Sequence, residues 1–465
     1  MSEGPLAPMI LRFVIPLMLS SFLQLFFNAA DMIVAGRFAG AGALAAVGST
    51  SALISLIINV FLGLSIGCNV VVAGLYGSKR VEEARKAVHT SVTVSLIGGA
   101  VLSVTGVLLA APLLSLMGTP PDIIGEASRY MRIYFLGMPV IMLYNFGSAI
   151  FRALGDTRRP LMYLTAAGVI NVGLNIIFVT RFGMGVAGVA WATIISQFVS
   201  TSLLIRAMLR SDGVLKLEPR KLGIDTDKLR RIMKIGLPAG VQSVMFSLSN
   251  VLLQSSVNSL GSLAVAGCTA DGNIESFVYC SMNAYHHATI SFTAQNLGSG
   301  KLDRVRKILY ISLAMEIATG LFFGWGVYLN GARMVSIYNT DPDVIRFALQ
   351  RMSVVSTTYF LCGMQEVLAG YLRGVGRSVT PAAVSAVAIC GVRILWIYTA
   401  FPLSRTVTNL FISYPLSWSC AVVVLAVCIA RYNRKSGISS AGKKKKAAPR
   451  VSEPVPAAAD SAAGV

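Results

Sequence analysis

The sequence predicts an all-α polytopic membrane protein, with twelve transmembrane helices arranged as two parallel six-helix repeats. Three observations carry that expectation. Hydrophobic residues make up 55% of the 465-residue chain and charged residues only 13%, about half of the roughly 25% found in soluble domains. The apolar residues fall in runs long enough to cross a bilayer. The two halves of the chain also repeat one another in register.

The runs cover 10–35, 44–75, 87–117, 122–152, 159–180, 184–209, 230–256, 264–296, 306–330, 342–372, 379–401 and 404–430. In lipid every backbone polar group must be satisfied internally, and without the alternation of barrel strands these runs read as helices. The first run is too long for a cleavable signal peptide and carries Asp31. An even number of spans places both termini on one side. That side collects 31 of the 40 Lys and Arg residues, including Lys79, Arg80, Arg85, Lys86, Arg152, Arg158, Arg159, Lys301, Arg304, Arg373 and Arg377. The opposite loops hold Arg37, Arg181, Arg333 and Arg405. This asymmetry marks the basic side, and with it both termini, as cytoplasmic. The net charge of +20 therefore reports membrane topology and not a nucleic-acid partner.

At an offset of 221 residues, Gly77, Ser78, Arg85 and Lys86 recur as Gly298, Ser299, Arg306 and Lys307. Thr119, Pro121 and Asp122 recur as Thr340, Pro342 and Asp343; Arg152, Gly155 and Pro160 recur as Arg373, Gly376 and Pro381. Each half has an even number of spans, so both insert in the same sense, as parallel transporter repeats do. The expected organisation is an N-terminal lobe (1–209), a cytoplasmic linker (210–229), a C-terminal lobe (230–431) and a tail (432–465). That tail, rich in Ala, Ser and Pro with a lysine run at Lys443 to Lys446, is expected to be disordered. Two such lobes facing each other enclose a central cavity suited to alternating access.

Several stretches then carry a family resemblance. IPLMLSSFLQLFFNAADMIVAGRFAGAGALAAVGS in the first span region resembles the opening of the multidrug and toxic compound extrusion (MATE) transporters. YGSKRVEEARK, RALGDTRRP, NVGLNIIFVTRFGMGVAGVAWATIISQ and TAQNLGSGKLDRVRK follow in the family's order. The resemblance covers about residues 5–430 and is closest to bacterial members. It implies a monomeric protein of the bacterial inner membrane that is not an enzyme and needs no cofactor. Such a protein exports amphipathic, often cationic, organic compounds against inward flow of protons or sodium, in contact with membrane lipids. Flippases of lipid-linked or oligosaccharide substrates share the superfamily architecture and are the nearest alternative. An intramembrane enzyme or a channel is a remote one.

An ionisable group within a span is a functional candidate by default, since its burial costs at least about 2.5–3.5 kcal/mol. The span acids are Asp31, Asp271, Glu275, Glu316 and Glu366. Asp31 lies about 22 Å along its helix from Pro16, in the outer half. Desolvation favours the uncharged form of a carboxyl, which suits proton exchange; a hydrogen-bonded carboxylate near the interface is the other reading. The resemblance favours function, because MATE proteins carry their N-lobe coupling aspartate here. Asn171 and Asn175 share a helix face one turn apart, and with Thr193 they could complete an oxygen shell for a hard cation. Interhelical amide bonds that only pack helices are the alternative. One branch of the family has an aspartate where Asn175 stands, so its absence tilts the expectation toward protons.

In the eighth span, Asp271 and Glu275 lie four residues apart and would repel unless one is protonated or Arg393 neutralises the pair. His286 follows near the same face, giving a possible C-lobe polar track; a buried structural ion pair would look the same. The sodium-site acid that some relatives carry on the seventh span is missing, and Gln242 is the polar residue nearby. Glu366 reads as sitting near the cytoplasmic mouth, and Glu316 has no counterpart in the other half. Gln24, Phe27, Tyr144, Gln242, Tyr279 and Met282 are expected to line a plastic substrate cavity. GSGK at Gly298 to Lys301 fails as a phosphate loop, because Gln295 and Leu302 stand at required positions. The seven cysteines lack paired spacing, so no metal is expected beyond sodium at Asp31.

Overall fold

The computed structural model describes residues 1–438; the remainder of the predicted tail, with Lys443 to Lys446, lies outside the described residues. The regular structure of the described residues is helical, with no strand. The first half comprises α1 (Leu6–Val34), α2 (Ala41–Gly77), α3 (Val81–Leu116), α4 (Ile124–Leu136), α5 (Met138–Leu154), α6 (Arg158–Ile176) and α7 (Gly185–Arg210). The second comprises α8 (Thr226–Asn258), α9 (Ser262–Gly298), α10 (Leu302–Leu329), α11 (Gly331–Ser336), α12 (Pro342–Val355), α13 (Tyr359–Gly374), α14 (Val379–Val384), α15 (Val392–Thr399) and α16 (Val407–Lys435).

Among the described residues, nine helices are long and apolar enough to cross a membrane, and a tenth appears when α4 and α5, bent by 50°, are taken together. The expected eighth and tenth spans are helical too, as α9 and the α12–α13 pair, yet they fall short of that apolar criterion. α9 carries Asp271, Glu275, His286 and His287 along its 37 residues, and a short 3₁₀ turn at Ser356–Thr358 interrupts the tenth. Hydropathy therefore under-reports the helices on which the chain has placed its charges.

The duplication reaches the backbone. Gly40 and Gly261, repeat partners, join the first two helices of each half with φ/ψ of 94°/173° and 99°/167°, a left-handed φ that glycine adopts without strain. From Pro16 to Gly40 the chain is one residue longer than from Pro238 to Gly261. A π-helical turn at Ala35–Ala39, which α8 lacks, absorbs the extra residue, immediately after Asp31.

The halves meet along a seam of glycines. Gly63 and Gly67 on α2, and Gly236 and Gly240 on α8, form two small-xxx-small stripes, which let backbones approach closely. A Cβ at Gly63 would run into the Gly240 backbone, and one at Gly67 into the Ile232 carbonyl. Further along, Gly77 abuts Gln295 and Gly298 abuts Gly74; the two contacts exchange under the repeat, as a two-fold axis between the lobes requires. Replacing Gly240 with valine should cost about 1–3 kcal/mol by overpacking. The expected readout is a lower unfolding midpoint of the purified protein, while Gly326→Ala, with nothing within 4 Å of its new Cβ, should unfold like the parent.

Packing does not follow the lobe boundary drawn from the sequence. Leu6, Ile10, Phe13 and Val14 of α1 sit in the same apolar cluster as Tyr285, Phe292 and Tyr371 of the second half, with Phe13 edge-on to Phe292 at 5.5 Å. Ile232 and Ile235 of α8 join the cluster of Leu64, Cys68 and Phe151 in the first half. The linker is strapped to α3: Glu218 N donates to His89 Nε2 (3.0 Å), and Lys228 Nζ meets Glu83 Oε2 (2.9 Å). At the other side of the seam, Lys301 and Arg304 hold the Ser2 (2.9 Å) and Gly4 (3.0 Å) carbonyls. These contacts all close the basic end of the molecule, where a smaller cavity of about 390 Å³ is bordered by Arg377, Arg431 and Tyr432; two larger cavities lie toward the other end.

Candidate functional site

Among the described residues, two larger cavities face away from the seam, one bordered by the first half and one mainly by the second. The first-half cavity, about 550 Å³, is bordered by the outer ends of α1 and α2 together with α4 to α7. Asp31 is half-buried in its wall. Asn175, fully buried on α6, donates from Nδ2 to Asp31 Oδ1 and lies 3.2 Å from Asn171 Oδ1. Thr193 Oγ1 on α7 is 3.4 Å from Asp31 Oδ2, but only 3.0 Å from the Val189 carbonyl one turn earlier. A hydroxyl has a single proton to give, so the secure donor to the carboxylate is the Asn175 amide. Asn171 Nδ2 completes the ring toward Thr193 at 3.5 Å. The four residues expected to cluster are brought together from three helices, with Asn175 Oδ1 left buried and without a partner.

Gln24, Phe27 and Tyr144 border the same cavity. The Phe27 ring lies against Gly168, where any Cβ would collide with it. The Tyr144 hydroxyl is engaged by the Pro160 carbonyl (3.1 Å), so this side chain offers its ring and not its oxygen. Among the described residues, no Lys or Arg borders this cavity.

The second-half cavity, about 690 Å³, is bordered by α8, α9, α12, α13, α15 and α16, with Asn59 of α2 reaching it from the first half. Here the structure corrects the expected pairing. Asp271 and Glu275 do share a face of α9, but the cation between them is Arg351 of α12, not Arg393. Arg351 donates to Asp271 Oδ2 at 2.6 Å and to Glu275 Oε2, with its guanidinium 4.7 Å from the Phe411 ring centroid. Asp271 is fully buried behind the cavity wall, and Glu275 borders the cavity. Arg393 instead donates from Nε to Ser417 Oγ (3.2 Å) and stacks on Tyr414.

His286 does not continue a track from Glu275. Its Nδ1 lies 2.7 Å from the Glu366 carbonyl and 3.0 Å from Glu366 Oε2, and its Nε2 is 2.7 Å from Arg373 NH1. An arginine can only donate, so Nε2 accepts and Nδ1 carries the proton toward Glu366. Arg373 also donates to Gln242 Oε1 (2.7 Å), and Gln242 Nε2 donates to Ser385 Oγ (2.8 Å). Glu366, expected at the mouth, and Arg373, counted with the loop cations, are both buried in this network, which ties α8, α9 and α13 together. Gln242 is therefore a buried structural link, and Met282, fully buried beside Gly363, is core. Of the three second-half cavity residues expected, only Tyr279 borders the cavity. Glu316 is fully buried against Gly363 and Gly320, and neither carboxyl oxygen has a partner.

Sequence reasoning gave no role to Arg351 or to the aromatic side chains of α16. Phe411, Tyr414 and Trp418 recur at a helical spacing that puts them on one face, and that periodicity was the available signal.

Comparison with known proteins identifies the family and the fold. The MatE family model matches twice, over residues 16–177 and 238–399. A relative named "Probable multidrug resistance protein YoeA" from Bacillus subtilis is 27% identical over 424 residues, covering 89% of this chain and 91% of the relative. A protein named "FAD transporter" from Shewanella oneidensis is 25% identical, covering 82% of this chain and 85% of its own. Among solved structures, an outward-facing multidrug resistance MATE family transporter of the MOP superfamily superposes with a TM-score of 0.86. It is 21% identical, and the match covers 94% of this chain and 97% of that one.

Proposed function

The chain belongs to the MatE family of multidrug efflux transporters, and on that premise we propose that it is a cation-coupled antiporter exporting amphipathic organic compounds by alternating access. The observation that carries the reading is Asp31: one carboxylate in a cavity without cations, held by a single amide donor, on the side of the molecule away from the closed seam. With the basic loops cytoplasmic, as the positive-inside rule requires, the cavities face outward. The setting is the bacterial inner membrane, with both termini inside, and the working unit is a monomer among lipids with no cofactor.

In the outward-facing state a cation entering the first-half cavity reaches Asp31. The proton is favoured over sodium, because Asn175 stands where one branch of the family carries a second aspartate, which leaves a single carboxylate in the site. Once protonated, Asp31 becomes a donor, and the orphaned Asn175 Oδ1 can accept from it after rotation of the amide. The bond between α1 and α6 thus reverses polarity with each proton, and α1 leads directly into the π turn. Coupling follows if loaded and unloaded Asp31 favour different lobe arrangements and hold substrate with different affinity. A flippase for lipid-linked anions would call for a strongly cationic, continuous cavity wall, and the first-half cavity offers no cation.

The test is rhodamine 6G transport in inverted vesicles with a proton gradient and a sodium gradient imposed separately. Uptake driven by the proton gradient alone is expected. Transport that follows neither gradient would overturn coupling and favour a flippase or channel.

A further inference from the structure

The second-half cavity contains a cation that no acidic side chain answers. Arg393 is 3% exposed. Its guanidinium carbon lies 3.8 Å from the Tyr414 ring centroid and 5.8 Å from that of Trp418, and its Nε is committed to Ser417. Stacking covers a face of the guanidinium but leaves its edge. The two terminal nitrogens meet no acceptor among the described residues, and neither is among the polar atoms sealed from open space. In a residue that borders the cavity, they therefore open into it. Of the carboxylates that share the wall, Glu275 is engaged by Arg351, and Glu366 lies beside His286, whose Nδ1 proton faces both the Glu366 carbonyl (2.7 Å) and its Oε2 (3.0 Å); neither carboxylate pairs with Arg393.

A buried guanidinium with unfilled donors is costly, and its planar fork matches a two-oxygen anion received edge-on. The surroundings define the rest of a ligand. Tyr359, Tyr414 and Trp418 lie ring to ring at 5.3–5.4 Å, and Phe411 adds a fourth ring 5.3 Å from Tyr414. They form an aromatic shelf beside Arg393, along a cavity whose volume is that of a small-molecule site, about 300–1,000 Å³. We propose that the second-half cavity binds planar aromatic compounds bearing a carboxylate, with Arg393 as the anchor for the carboxylate and the α16 aromatic rings as the shelf for the ring system. The inference rests on the export reading for the direction of transport and not for the contact itself.

A matched dye pair separates the two. Carboxyfluorescein and rhodamine 6G share a xanthene ring; the first carries carboxylates, and the second is a cation whose carboxyl is esterified. Binding to purified protein is read by fluorescence polarisation, and efflux by dye loss from cells. The parent protein should bind and export both. Arg393→Met should weaken carboxyfluorescein binding about tenfold or more and leave rhodamine 6G binding undiminished or tighter, because the wall loses a like charge; retained rhodamine 6G binding also shows that the variant is folded. If Arg393→Met fails to accumulate, Arg393→Lys decides: it keeps the charge, loses the fork, and should still weaken carboxyfluorescein selectively. A parent that does not bind carboxyfluorescein, or variants that affect both dyes equally, would overturn the assignment. Because binding is measured without a gradient, failure here is distinct from failure of cation coupling, which rhodamine 6G transport in vesicles reads alone.

Discussion

Asp31→Asn is expected to reduce gradient-driven efflux to the level of cells lacking the transporter, with insertion and abundance unchanged. The side chain keeps its volume and its place beside Asn175, so folding should change by no more than about 1 kcal/mol. What it loses is the ability to alternate between accepting and donating a hydrogen bond as a proton arrives and leaves. The measurement pairs efflux with substrate binding across pH. In the parent, proton and substrate compete, so affinity should fall as the outward-side pH is lowered; in the variant, affinity should be flat with pH. Parental efflux by Asp31→Asn would remove the carboxylate from the cycle.

Arg351→Ala should have the largest effect on folding. The arginine is the cation between Asp271, fully buried with Oδ1 already unpartnered, and Glu275. Removing it leaves two carboxylates one helical turn apart without compensation, a loss of about 3–5 kcal/mol for a broken buried pair. The expected outcome is low accumulation and a sharply lowered unfolding midpoint. Replacing all three groups by neutral ones, as Arg351→Met with Asp271→Asn and Glu275→Gln, should recover most of the stability, since the cost lies in unpaired charge and not in lost attraction. If Arg351→Ala unfolds like the parent, the triad is not holding α9 to α12. If the triple variant stays unstable, lost packing against Phe411 is responsible.

The contrast between these two sites shows how far local reasoning reaches. Asp31 was legible because a lone acid in an apolar helix stands out against its own neighbours, and Asn171 and Asn175 share a face by helical geometry alone. The pairing of Asp271 and Glu275 was legible for the same reason. Their cation was not: Arg351 and Arg393 are 80 and 122 residues beyond Asp271, and nothing in either segment says which will arrive opposite. The same holds for Gln242 and Met282. Both sit on helices expected to border a cavity, but α8 and α9 contain polar residues on several faces, so hydropathy does not determine which way each helix is turned. The stripes at Gly63/Gly67 and Gly236/Gly240 were visible as spacings, yet only their meeting makes a seam.

By itself the sequence determined the membrane class, the duplication, the distribution of basic loops and the resemblance that the family match bears out. All of these depend on composition, period or order along one strand of chain. Tertiary structure alone decided which charges neutralise one another, that α1 and α8 begin in the opposite half's core, and that Arg393 opens into a cavity. Burial energy constrains a helix to lie in the bilayer, but a charge inside it is settled by whichever partner the packing brings within about 3 Å, and that choice is made between helices, not within them.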